Sequence, residues 1–120
     1  MVDIPVPVAD LLDRITILRI KAARVQGEAL EHVQRELVLL EGRWRFGEVP
    51  EVERLHAVNL ELWNVEDGLR HHESQADFGE SFVDLARSVY RLNDERARLK
   101  QALNGRLGSG LVEVKAYESR

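Results

Sequence analysis

Cysteine is absent from this 120-residue chain. That excludes disulfides and thiol redox chemistry, and it leaves histidine and carboxylates as the only donors for a zinc site. Also missing is any uncharged apolar run approaching the roughly 20 residues that cross a bilayer, and the N-terminal stretch carries Asp3 and no leader-like apolar segment. A soluble, cytoplasmic protein with no membrane partner is the expectation. A positive excess is lacking too. Seventeen Lys and Arg stand against 21 Asp and Glu, a net charge of −4, which argues against a nucleic-acid partner because phosphate binding needs a positive face.

The charge that is present is unevenly spread. Residues 48–73 hold seven acids against Arg54 and Arg70, a net of −5, whereas residues 87–106 hold six bases against Asp94 and Glu95, a net of +4. The simplest expectation is two antiparallel helices that neutralise one another.

Apolar residues make up 44% of the chain, enough for one domain spanning residues 1–120 to bury a core without staples. Their spacing is helical nearly throughout. A first helix is predicted from about Val8 to Arg24, with Val8, Leu11, Leu12, Ile15, Leu18 and Ala22 on one face and Ile17 and Ile20 widening it. Gly27 breaks the pattern, and a second helix follows with Leu30, Val33, Leu37, Leu40 and Trp44, stopping near Gly47. Pro50 suits the first position of a third helix, which carries Val52, Leu55, Val58, Leu62, Val65 and Leu69 to about His71. Asp77 with Glu80 three residues on has the form of a capping box opening a fourth helix, which Gly105 should close. Short loops between four such helices predict an all-α, antiparallel four-helix bundle. At the ends, Val2, Ile4 and Val6 alternate with Asp3, Pro5 and Pro7, and Val112, Val114 and Ala116 alternate with Glu113, Lys115 and Tyr117. Both segments read as extended, either paired as a ribbon or draped over the bundle.

One polar seam interrupts the pattern. On the fourth helix Arg96 falls within the apolar stripe of Phe82, Leu85, Val89, Leu92, Leu99 and Leu103, with Asn93 and Lys100 at its border. On the third, Asn59, Trp63, Glu66 and Arg70 form one ridge at spacings of 4, 3 and 4. If that ridge faces the fourth helix, Glu66 is the natural carboxylate for Arg96. Arg70 and Lys100 would then leave positive charge beside Trp63. An anionic small molecule suits such a site, since Arg offers a planar fork, Lys a point charge and Asn both a donor and an acceptor. The structural alternative, weighted above it, is an internal network that fixes helix register.

Other signals point to less. Glu53 and His56 have the Glu-x-x-His spacing of carboxylate-bridged metal bundles, but the second copy that such bundles need is missing. His71, His72 and Glu73 sit where a helix end favours histidine. No metal or other cofactor is called for. No Ser or Thr occupies a nucleophile motif, and Gly108-Ser109-Gly110 reads as a turn rather than a phosphate loop. Arg19, near the apolar face of the first helix, is expected to reach out to the rim.

The chain resembles a family of short bacterial proteins classed as a domain of unknown function. The resemblance rests on Val6 followed by Leu11-Leu12-Asp13-Arg14-Ile15-Thr16-Ile17-Leu18 with Ile20-Lys21, on Val58-Asn59, Leu62-Trp63 and Glu66-Asp67, and on Ala86-Arg87-Ser88-Val89-Tyr90. It continues through Asn93-Asp94, Arg96-Ala97, Lys100 and Asn104 to Gly108-Ser109, Val112-Glu113, Lys115 and Tyr117. This chain departs from the pattern at Pro7 and Ala116, where serine is expected, and at Arg19, where an acid is expected. What the resemblance implies is a fold and a set of marked polar positions, among them Asp13, Lys21, Asp67 and Asp94, rather than a reaction.

Two functional expectations follow. The first is an interaction or scaffold protein, homo-oligomeric and dimerising through the first helix, where Ile17 and Ile20 extend the apolar surface. The second is a binding protein or small enzyme for an anionic metabolite, using Asn59, Trp63, Glu66, Arg70, Asn93, Asp94, Arg96 and Lys100 as its ligand-binding seam.

Overall fold

The computed structural model describes residues 1–110. Four helices follow in order: α1 (Val8–Ala22), α2 (Gly27–Glu41), α3 (Glu51–Ser74) and α4 (Glu80–Arg106). They make an all-α bundle built around α1, and among the described residues there is no strand. Among the described residues the N-terminal segment pairs with no strand, and Val2, Ile4 and Val6 are exposed. The alternating C-terminal segment lies outside the described residues.

α1 is central because its sequence is apolar around most of its circumference, and it touches all three other helices. Ala9, Leu12, Ile15, Leu18 and Ile20 are all buried. Ile20 is thereby covered by the bundle, which removes it from the surface through which α1 was expected to dimerise. α3 and α4 form an antiparallel hairpin against one side of α1, with Val58, Leu62, Val65 and Leu92 in one core cluster and Ala9, Leu12, Val49, Leu55 and Leu103 in another. Gly68 lets the hairpin close, since a Cβ there would meet Leu85 Cδ1 at 3.0 Å.

Among the helices α2 packs on α1 alone, and none of its residues is fully buried. Its ion pairs Arg14–Glu36 and Arg19–Glu41 advance in the same direction along both helices.

Helix ends differ from the sequence expectations in ways that local chemistry explains. α2 opens at Gly27, whose φ of +63° suits glycine. α4 begins at Glu80 after Gly79, and Asp77 instead accepts a hydrogen bond from the Gly79 amide (3.3 Å) and pairs with His72 (3.2 Å). The expected capping box is thus not formed. Nor does Gly105 close α4. The helix runs on to Arg106, and Gly108, at φ +66°, takes the left-handed position that lets the Ser109 amide bond back to the Asn104 carbonyl at 2.9 Å.

Candidate functional site

The start of α1 poses a problem that the rest of the chain solves. Pro7 is its N-cap and offers no side-chain acceptor, so the first-turn amides need partners from elsewhere. Ser109 Oγ accepts from the Val8 amide at 3.2 Å, and Asn104 Oδ1 accepts from the Ala9 amide at 2.8 Å. The end of α4 therefore caps α1 across the bundle.

Two further rungs climb from this cap, because α1 and α4 run antiparallel and residues at helical spacing stay opposite one another. Lys100 Nζ lies 3.0 Å from Asp10 Oδ1. One turn higher, Arg96 presents its guanidinium fork to Asp13, with Nε donating to Oδ1 at 2.9 Å and Nη2 to Oδ2. Asp13 is buried, as are Thr16 and Asn59 beside it. From α3, Asn59 Nδ2 donates to both Asp13 Oδ1 and Thr16 Oγ1, each at 2.9 Å, while Thr16 Oγ1 donates to the Asp13 carbonyl at 2.7 Å. A buried carboxylate is costly unless it is paired and hydrogen-bonded. Asp13 is both, and the result ties three helices together at one point.

This geometry corrects the sequence assignment of the partner of Arg96. The carboxylate is Asp13 on α1, not Glu66 on α3. The ridge on α3 does not face α4 as a unit: Asn59 turns to α1, Trp63 lies under the Arg24 guanidinium (5.4 Å to the ring centroid), and Glu66 and Arg70 are exposed. Of the eight seam residues, the structure brings Asn59 and Arg96 together on Asp13, with Lys100 one rung below. Asn93 is exposed and Asp94 is half-buried. Helical periodicity pointed to none of Asp10, Asp13, Thr16, Asn104 and Ser109, of which all but Asp10 stand in the segments that carry the family resemblance. The signal was available in the position of Asp13, which falls between Ala9, Thr16 and Ile20 on a face of α1 that is otherwise apolar or uncharged.

The opposed charge of α3 and α4 is expressed mainly at one end. Arg106 donates to Glu51 through Nε (2.8 Å) and Nη2 (2.5 Å). Those hydrogen bonds hold the Glu51 carboxyl below its ordinary value and raise the Arg106 guanidinium above its own. Arg19 reaches the rim, where it meets Glu41 at 2.9 Å. Among the described residues no group of three or more histidines and acids is placed to hold a metal ion, and no helix is long and apolar enough to cross a membrane.

A second feature lies beside α1. Between α2 and the start of α3 an open groove of about 940 Å³ runs along α1. Its lining mixes apolar Trp44 and Val52 with charged Arg19, Glu48, Glu53 and Arg54, while Leu12 and Ile15, which also border it, are buried. Trp44 is fixed in place by its indole N–H, which donates to the Gly47 carbonyl at 2.6 Å.

The fold and its polar ladder define a small helical bundle whose charged interior is internally paired. Over residues 2–120 the chain matches the model of a family of unknown function (DUF6165), and it belongs to that family. No curated protein and no solved structure matches it.

Proposed function

We propose that this protein is an interaction module that self-associates, a homo-oligomeric helical scaffold rather than an enzyme. The observation that carries this reading is α2, which covers α1 from one side, has no fully buried residue and leaves the groove beside it open. Val38, Leu39 and Phe46 are exposed on and just after it.

Surface area supports the same reading. A compact monomer of 13.8 kDa is expected to expose about 6,600 Å². This chain exposes 8505 Å², an excess on the order of 1,900 Å² per chain, against the roughly 800 Å² that each partner of a standard interface buries. Its radius of gyration, 16.2 Å, likewise exceeds the roughly 13.6 Å of a compact domain of this length.

The alternative, an anionic metabolite bound in the seam, finds less support. Arg96 holds Asp13 and Lys100 stands on Asp10, so two of the three cations expected to clamp an anion already carry carboxylates of α1, and the third, Arg70, is exposed and not part of their cluster. Sedimentation velocity across the micromolar range tests the proposal. A species heavier than the monomer, dissociating on dilution, is expected. A monomer at every concentration overturns it.

A further inference from the structure

The residue that caps α1 from α4 is followed directly by glycine. Asn59, Asn64 and Asn93 precede Leu60, Val65 and Asp94, so among the asparagines of this chain Asn104 alone has a glycine after it. Glycine has no Cβ to shield its own amide nitrogen, and that nitrogen is free to close on the side-chain carbonyl carbon of the residue before it. We infer that Asn104 is a site of spontaneous deamidation, blocked while the last turn of α4 is docked on α1 and reactive whenever that turn opens.

The only co-reactant is water. The Gly105 amide nitrogen attacks Asn104 Cγ, the new N–Cγ bond closes a five-membered succinimide, and the Cγ–Nδ2 bond breaks. The proton lost by the Gly105 nitrogen leaves with Nδ2 as ammonia. Water then opens the ring without oxidation or reduction. Addition at Cγ gives aspartate with the original main chain, whereas addition at the main-chain carbonyl gives isoaspartate, whose main chain runs through Cβ and Cγ.

In the closed molecule the first step is blocked. Residue 104 lies within α4, which runs to Arg106, and helical backbone angles keep the Gly105 nitrogen from Cγ. Asn104 is only 2% exposed, and its Oδ1 is fixed by the Ala9 amide at 2.8 Å. The leaving group is held less well. Nδ2 is buried and has no hydrogen-bond partner among the described residues, which is an uncommon state for a buried donor.

The block is local, because this turn is a helix end. Gly105 is exposed with open space around it, and Gly108 turns left-handed just beyond. Apart from the caps on α1, the tie that holds this end to α3 is the Arg106–Glu51 pair at 2.5 Å, with the Arg106 side chain 47% exposed. Segments with few buried contacts open far more readily than the whole fold.

The two products differ in what they do to the bundle. Aspartate keeps an oxygen for the Ala9 amide, serves as a cap as well as asparagine does, and replaces a partnerless donor with an acceptor at the positive end of α1. Isoaspartate inserts an extra main-chain carbon, so the last turn of α4 cannot rewind and the cap on α1 is lost. Each opening of this end therefore risks an irreversible mark on the chain.

Ageing the full-length protein in mildly alkaline buffer tests the inference, with tryptic digestion and mass spectrometry following the amide-to-acid mass gain in the peptide 101–106. Wild type should convert at Asn104 and not at Asn59, Asn64 or Asn93, at least about tenfold more slowly than in denaturing urea. Arg106→Gln removes the tie to α3. It should raise the folded-state rate about two- to fivefold, the gain in open population expected from losing such a pair, and leave the rate in urea unchanged. Gly105→Ala, whose new Cβ meets only open space, should fold as wild type does and slow conversion strongly in both conditions. Equal rates in folded protein and in urea overturn the gating by α1. An Asn104 that stays intact in folded wild type and in folded Arg106→Gln, after urea-treated protein has fully converted, overturns the site. Conversion of the other asparagines alongside it, or unchanged ageing in Gly105→Ala, does the same.

Discussion

Replacing both members of the Arg96–Asp13 pair should cost less than replacing one. Arg96→Met fills much of the space of the arginine stem but strands the buried Asp13 carboxylate, which keeps only the hydrogen bond from Asn59. Breaking a buried pair in this way costs about 3–5 kcal/mol. The lower figure applies here, because the Arg96 side chain is 29% exposed and water can reach part of the site. For a chain of this length a loss of about 3 kcal/mol lowers the melting temperature by roughly 10 °C or more. Asp13→Leu combined with Arg96→Met removes both charges at once. Asn59 then still donates one N–H to Thr16 Oγ1, and Thr16 still donates to the residue-13 carbonyl, so the one donor that loses its acceptor is the second N–H of Asn59, at a cost of about 1–2 kcal/mol. The double variant should therefore lie within about 2 kcal/mol of wild type. Urea unfolding followed by circular dichroism at pH 7 gives all three free energies, provided the m-value stays constant. The coupling between the two substitutions should exceed about 2 kcal/mol. A double variant that loses the sum of the single losses would refute the reasoning, and so would a loss below 1 kcal/mol in Arg96→Met.

Three further outcomes are expected. Asn104→Ala removes the acceptor that caps the Ala9 amide and should cost about 1–2 kcal/mol, measured by the same unfolding curves, whereas Gln101→Ala on the exposed side of α4 should cost almost nothing. Ala76 sits at φ +51°, so Ala76→Gly should raise stability by about 1 kcal/mol, and no gain in melting temperature would count against strain in that turn. Because Arg106 holds the Glu51 carboxyl below its ordinary 4.5, the stability from this pair is present above that value and is lost as the pH falls through the folded-state value. The gap in melting temperature between wild type and Arg106→Gln should accordingly be present at pH 7 and close toward pH 3. A gap that persists unchanged in acid would contradict it.

The number of helices and their apolar faces were legible because helix periodicity is local: Leu55, Val58, Leu62 and Val65 recur at 3 and 4 whatever lies opposite them. Arg96 was marked as inward-facing by the same rule. Local patterning also located Gly27 as a break, since a residue at φ +63° favours glycine independently of tertiary context. What a periodic pattern cannot carry is which helix a given face meets. Glu66 and Asp13 were both acids at plausible positions, and only the packing of α1 between α3 and α4 put Asp13 within reach of Arg96 and left Glu66 in solvent. The cap on α1 was hidden for the same reason, because its acceptors, Asn104 and Ser109, stand 95 and 101 residues away from the amides they receive. By itself, then, the sequence determined helices, breaks and an inward cation, all properties of a few adjacent turns. Tertiary structure alone decided the partners, because hydrogen bonds and ion pairs form between whichever groups the packing of distant segments brings within about 3 Å.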